Sequence, residues 1–420
     1  MKRLLFLLLF LSLFALQAFG FVERRKDPFF YRFSYYIYPI VQDIPGLGQV
    51  SGVGVNLVDL FDTDLDFGGF NVDGEFSAKG GYFLNQHLIP EFLVLDWGAF
   101  DYDVASTLYD RGMESDEDQF FLPEIQGKGW QGQLTMMMME RQLEAFLRKR
   151  KESYYIKKVF DQDGTPYTNY DQTTQDYEVL NTGWKLDFTD DRQDPRKGLR
   201  IEWLKKAPKN SDSLISDFHV IDQNATLFIP LGKFSTWAFN GYRSRAVVTS
   251  QAETDRETLR GLMGLGCDSY SHPIAQAICT KTENQRLSER IALNTYGRAT
   301  PVGGTQRLRA FPNGRFAAGQ VEFYGTEFRW NLNDSNTPFN WWFMKGVHNT
   351  YQLAVFYERG TAFDDESLDK IWKTSTGVGF RLIFEGVTVR ADWATGEEGG
   401  QSQIFIDYPW GLSAIDNSTR

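Results

Sequence analysis

"TGVGFRL", residues 376–382, sets Thr376, Val378, Phe380 and Leu382 on one side of an extended chain and Gly377, Gly379 and Arg381 on the other. Period two means one apolar face and one polar or tiny face. The rhythm recurs along the chain. Tyr351, Leu353, Val355 and Tyr357 alternate with Gln352 and Glu358, and Val387, Val389, Ala391 and Trp393 with Thr388, Arg390 and Asp392. Trp184, Leu186 and Phe188 alternate with Lys185 and Asp187, and Leu199, Ile201 and Trp203 with Arg200 and Glu202. A water-soluble sandwich also alternates, so one such strand decides nothing. What decides is the compartment.

The first twenty residues give it. Lys2 and Arg3 precede an apolar run from Leu4 to Leu16, and Ala18-Phe19-Gly20 ends in small residues. That is the build of a secretory signal peptide, and the run falls short of the roughly 20 apolar residues a spanning helix needs. No second helical span follows. The residue directly after the cleavage point is Phe21 and not cysteine, so no lipid-anchored amino terminus is expected. Only helices and closed barrels satisfy their backbone inside lipid. Aromatic residues make up 15% of the chain, with 19 Tyr and 35 Phe, and glycine is frequent. With five alternating segments behind a signal peptide, this composition predicts an all-β transmembrane antiparallel β-barrel of about sixteen strands in the bacterial outer membrane.

The expected organisation is a signal peptide over 1–20, a short periplasmic segment over 21–33, the barrel over 34–410 and a tail over 411–420. Short polar links, such as 191–198 and 231–233, contrast with long loops at 104–128, 159–177 and 250–318. Short turns at one end and long loops at the other are the pattern of outer-membrane barrels. Residues 134–158 ("LTMMMMERQLEAFLRKRKESYYIKK") read two ways. They carry seven Lys or Arg from Arg141 onward, which suits a basic helix on a membrane surface. The alternative, preferred because a barrel must keep its strand count, is a hairpin turning near Glu140 to Gln142.

One stretch fits neither strand nor helix. "GGTQRLRAFPNGRF", residues 303–316, concentrates glycine and arginine in a chain of net charge −11. With the strand after it, this stretch resembles the bacterial surface-antigen superfamily, the barrels of outer-membrane assembly factors of BamA/TamA type. The resemblance rests on Gly303-Gly304, the tip Leu308-Arg309-Ala310-Phe311, Arg315-Phe316 and Glu327-Phe328-Arg329. It continues with Phe356-Tyr357-Glu358-Arg359-Gly360 and with Gly377-Val378-Gly379-Phe380-Arg381, and upstream "DPRKGLRIEW" resembles the family's turn into a strand. It runs in order from about residue 180 to 410. Nearer the amino terminus only "GLGQVSGVGVNLVDLF" resembles the usual second strand.

The resemblance implies a long extracellular loop folded into the lumen, with Arg309 pairing the carboxylate of Glu358 beside Gly360. Ala310 stands where the family has glycine, so a left-handed backbone there would be costly. The family's assembly factors carry repeated soluble POTRA domains before the barrel; residues 21–33 are too few for one, so a barrel-only member is expected. Cys267 and Cys279, close in sequence and outside the cytoplasm, predict a disulfide closing a short hairpin on the outer surface, two free thiols being the alternative.

Nothing points to an enzyme. His87, His219, His272 and His348 stand apart with no motif around them, and no catalytic residues, metal site or cofactor are expected. Three function classes stay open. One is an insertase or translocase working through a seam between the first strand (about 34–41) and the last (about 402–408). The others are a gated or passive pore, and a structural or interaction barrel for surface proteins. The expected partners are outer-membrane lipid, client outer-membrane or surface proteins and an unidentified periplasmic protein, with no nucleic acid.

Overall fold

The computed structural model describes residues 33–412 apart from 162, 167–171, 210–211, 270–271, 334–338, 348, 367–369 and 385–386. The signal peptide, residues 21–32 of the amino-terminal segment and 413–420 of the tail lie outside the described residues.

Among the described residues, sixteen antiparallel strands form a closed barrel, with three short strands added at its ends. In chain order they are β1 (Ser34–Ile44), β2 (Gly48–Leu60), β3 (Leu65–Gly74), β4 (Ser77–Ile89), β5 (Leu93–Ala105), β6 (Phe120–Met138), β7 (Leu143–Asp161) and β8 (Gln175–Thr189). They continue with β9 (Gly198–Lys209), β10 (Asp217–Pro230), β11 (Ser235–Ser250), β12 (Gln320–Asn331), β13 (Asn349–Phe363), β14 (Lys373–Phe384), β15 (Val387–Gly396) and β16 (Gly399–Ile406). Each pairs with its neighbour in sequence. β1 meets β16 to close the cylinder.

The polarity of the wall is inverted relative to a water-soluble protein. On β13, Tyr351, Leu353, Val355 and Tyr357 are exposed, while Gln352 and Glu358 are buried. On β12, Tyr324, Phe328 and Trp330 face outward, and Glu327 and Arg329 face inward. Exposed aromatic and aliphatic rows around a charged interior are stable only where the outer surface is lipid. Among the described residues no helix is long and apolar enough to cross a membrane.

One end carries compact connections such as 61–64, 90–92, 139–142 and 231–234. The other carries the longest, residues 251–319. The segment 134–158 is a hairpin, turning through Met139, Glu140 and Arg141, all with positive φ. Its helix-forming composition yields to cross-strand pairing on both sides.

Three expectations need correction. First, the loops read at 104–128 and 159–177 are shorter, because β6 and β7 are each 19 residues long. Beyond the membrane both faces of a strand meet water, so "FFLPEIQGK", residues 120–128, carries no apolar alternation and read as loop. Opposite Trp130 and Gly132 the outward positions of β7 are already Lys151 and Lys149, which marks the edge of the hydrocarbon. Second, the region 251–296 is helical, with α1 (Arg256–Met263) and α2 (Pro273–Tyr296). Asp255 caps α1 by accepting from the Thr258 N–H, and Pro273 opens α2 at a position where its missing N–H costs nothing. Third, the last strand stops at Ile406, and Tyr408 and Trp410 turn into the lumen instead of extending it.

Val378 sits mid-strand on the lipid face at 51% exposure. Val378→Arg is therefore expected to cost about 2–4 kcal/mol in a bilayer, measured as a shift in denaturant-dependent folding into lipid vesicles.

Candidate functional site

The chain leaves α2 at Gly297 and dives into the barrel. Val302 and Phe316 exchange main-chain hydrogen bonds, so residues 303–315 form a closed excursion between them. Gly303 and Gly304, both at φ near +110°, turn it inward. Gly303 N–H donates to the Arg307 carbonyl and Gly314 N–H to the Gly303 carbonyl. The tip then buries Leu308, Arg309, Ala310, Phe311 and Phe316 together. The left-handed residue at the tip is Leu308, at φ 52°, and not Ala310. The strain expected at Ala310 does not arise. Leu308 packs over Gly360, where a Cβ would lie 2.9 Å from the Leu308 Cδ1, so a side chain at 360 would push the tip out.

Arg309 is fully buried and meets three carboxylates on three strands. Its Nε donates to Glu358 Oε1 at 2.9 Å, its Nη1 to Asp392 Oδ2 at 3.0 Å and its Nη2 to Glu327 Oε2 at 3.0 Å. Its own N–H donates to Glu358 Oε2 at 3.0 Å, and the guanidinium lies 3.4 Å over the Phe356 ring centroid. Ala310 N–H donates to Ser375 Oγ at 2.9 Å. A planar fork with donors on every edge can serve three acceptors at once.

The carboxylates are shared. Arg329 Nε donates to Glu327 Oε1 at 2.7 Å, Arg381 to Glu327, and Arg390 to Asp392. Four cations thus enclose three anions. Burying an ion costs several kcal/mol, and removing one partner leaves the others without compensation.

The rest of the loop has its own anchors. Arg307 Nη2 donates to the Trp410 carbonyl at 2.9 Å, with its guanidinium 3.7 Å from the Tyr242 ring centroid. Trp410 fills the space left by Gly325 and donates from its indole to Glu358 at 3.1 Å. Arg315 reaches outward. Its Nε donates to Glu398 Oε2 at 2.8 Å and its Nη1 to Ser115 Oγ at 2.7 Å. The Asn313 N–H donates to the Pro45 carbonyl, in the turn between β1 and β2.

The structure therefore brings Arg309, Glu358, Glu327, Arg329 and Arg381 into one network, with Gly360 and Gly377 clearing space around it. A Cβ on Gly377 would lie 2.5 Å from the Phe356 ring, and one on Gly379 would meet Asp392. Asp392, Arg390, Arg307 and Trp410 belong to the same network and were not singled out from sequence. Arg390 and Asp392 sit on the polar face of an alternating strand, which was the available signal. A second cluster on the opposite wall was also missed. There Arg141, Lys185 and Arg192 converge on Glu144. Between the two clusters lies a cavity of about 210 Å³, lined by Tyr82, Lys185, Arg200, Glu202, Arg329 and Tyr408 among others. It has room and partners for several waters.

Above the lumen, Cys267 and Cys279 form a disulfide. It joins the turn after α1 to α2, where a short hairpin had been expected. α2 rests on the loop 106–119, with Gln285 donating to Asp110 and Arg111 N–H to Glu289. Burial pushes the carboxyls of Asp110 and Glu289 above their ordinary range.

The chain is similar to BamA from Haemophilus ducreyi lacking POTRA domains 1–3, with TM-score 0.51 and 10% identity, over 91% of this chain and 70% of that one. It is similar to CdiB from Escherichia coli, with TM-score 0.51 and 9% identity, over 90% of this chain and 62% of that one. The fold is an outer-membrane barrel. At such identities the likeness is one of fold alone, and the chain spans less than two thirds of the CdiB chain. No family model and no curated protein sequence matches it.

Arg309→Ala is expected to cost about 3–5 kcal/mol, the scale for removing one partner of a buried ion network. Arg309→Lys should recover little, because a point charge cannot bridge three carboxylates. The temperature at which the folded band converts on a gel, with protease cleavage inside 297–319, checks both. Cys267→Ser with Cys279→Ser should raise cleavage within 251–296 and leave the folded barrel band unchanged.

Proposed function

We propose that this barrel is a non-enzymatic insertase or translocase of the bacterial outer membrane, acting on client outer-membrane or surface proteins through the β1–β16 seam. The observation that carries the reading is how little main chain joins those strands. β1 pairs with β2 along its whole length, from Ser34↔Val58 to Ile44↔Gly48. β15 pairs with β16 from Val389↔Ile406 to Gly396↔Gly399. Between β1 and β16 a single register pair is formed among the described residues, Asp43↔Ile404.

The sequence weakens this edge further. The Ile37 N–H points to the seam, since it donates to Phe343 there. Groups alternate sides along a strand, so Pro39 presents to the seam a position with no N–H at all. An edge with unused donors and acceptors can take up another extended chain. The wall across β12–β15 is held by the Arg309 network, so opening has one natural place. The pore reading has less support, because loop 297–319 and residues 407–412 fill the lumen on that side. The likeness to BamA and CdiB agrees with the seam reading at the level of fold. Client delivery by a separate periplasmic protein is part of the proposal.

Loss of the protein is expected to lower several barrels together in the outer-membrane protein profile. An Asp43→Cys/Ile404→Cys pair, crosslinked across the seam, should reproduce that loss while the folded barrel persists. A normal protein profile with impaired uptake of small solutes would replace this reading with a pore. An unaltered profile in the crosslinked strain would remove the seam from the mechanism.

A further inference from the structure

The connection between β12 and β13 lies at the short-turn end and does not behave as a turn. It forms a small ribbon of two strands, Phe339–Trp341 and Met344–Val347. The ribbon passes beneath the ends of β14, β15 and β16 and adds to the sheet at β1. Tyr35 registers with Lys345 and Tyr36 with Met344. The Ile37 N–H donates to the Phe343 carbonyl at 3.0 Å, and the Tyr35 hydroxyl reaches the Trp342 carbonyl at 3.4 Å. Met344 and Val347 are buried with Tyr36 and Val58, and Phe384, Val389 and Ile406 close the cluster.

The ribbon stands where the last strand is missing. With Asp43 opposite Ile404, the end of β16 at Ile406 falls beside Val41. Below that level, among the described residues, β1 has no register partner from β16, and the ribbon occupies its edge at residues 35–37. We infer that residues 339–347 are an internal strand latch: they cover the short-turn half of the β1 edge in cis and must leave before another extended chain can pair there. The inference rests on the seam reading above and adds the element that keeps the seam from taking up strands indiscriminately.

The chemistry suits a part that is held but can be released. Its attachment to β1 is two register pairs, against the continuous ladder between β1 and β2. Pro39 ends the run of donors available to it. Its far side carries Trp341 and Trp342 at 58% and 78% exposure, with the Phe343 ring 4.6 and 4.9 Å from them. Indole rings favour the boundary between water and lipid, so the membrane interface holds the ribbon in either position. Release would cover its apolar face with lipid. The incoming chain that fits is an extended segment alternating apolar and polar residues, since it must continue the face on which Tyr36 and Ile40 are buried and Ile37 and Val41 are exposed.

The test uses the full chain in lipid nanodiscs, with a fluorescent peptide reproducing residues 402–410 (SQIFIDYPW) as the probe strand. Tyr35→Cys and Lys345→Cys lie opposite each other on the outer side of the latch. Joined by a short bis-maleimide, they should lower peptide affinity at least tenfold relative to the same variant with each thiol capped separately. Phe343→Asp/Met344→Asp, which unseats the ribbon, should raise affinity at least tenfold and speed hydrogen exchange at the Ile37 amide. Heat-modifiable migration on a gel verifies that each variant is folded. Equal affinity of the linked and capped proteins, or no binding by any variant, overturns the latch. A latch-dependent affinity in a protein whose loss leaves the outer-membrane profile unaltered would sustain the latch and reject the insertase reading.

Discussion

A guanidinium surrounded by three carboxylates, deep inside a lipid-clad cylinder, is the constraint on which this structure turns. A sixteen-strand barrel encloses more space than one layer of side chains can fill. The chain fills it with a returning loop, and a polar lumen requires that the loop be fixed by charge and not by oil. Arg309 does this because one planar group can satisfy Glu327, Glu358 and Asp392 together. Each carboxylate in turn sits on a different strand. The contact therefore ties the loop to the wall and the wall to itself.

This gives the barrel two unlike sides. Across β12–β15, continuous ladders are reinforced from within by Arg381, which reaches from β14 to Glu327 on β12, while Arg329 and Arg390 pair with carboxylates of their own strands. At the β1–β16 closure the ladder nearly vanishes, and other parts clasp the gap. The loop holds the turn after β1 through Asn313 and Pro45. Gln306 reaches Asp407 just past the end of β16. The ribbon 339–347 covers the lower half of β1. Side chains and connections thus stand in for main-chain pairing, which separates closure of the cylinder from completion of its hydrogen bonds.

Much of this was legible in the sequence because period two survives wherever a strand separates lipid from lumen. Tyr351 to Tyr357 and Thr376 to Leu382 announce their faces directly. The loop tip was legible from the order of its pieces, Gly303-Gly304 through Arg315-Phe316. What escaped did so for physical reasons. β6 and β7 leave the membrane, and there the alternation loses its meaning. Helix α2 lies in a region read as loop, although Pro273 and the helix formers after it were a usable sign. Arg390 and Asp392 were seen as one polar face, but nothing in a linear pattern says that two strands of one wall aim at the same point. Trp410, just past the stretch read as the last strand, carried no sign of its direction. It turns inward because Gly325 leaves it a space and Glu358 accepts from its indole.

The 19-residue strands β6 and β7 have a last consequence. A tilted strand crosses a bilayer in about 9–11 residues, so nearly half of each stands clear of the membrane as a paired ribbon. Tyr155 and Gln126 hydrogen-bond across it, and Lys157 reaches Asp103 on β5. That extension is held by strand pairing along its length and is thus stiff where a loop of equal length would not be.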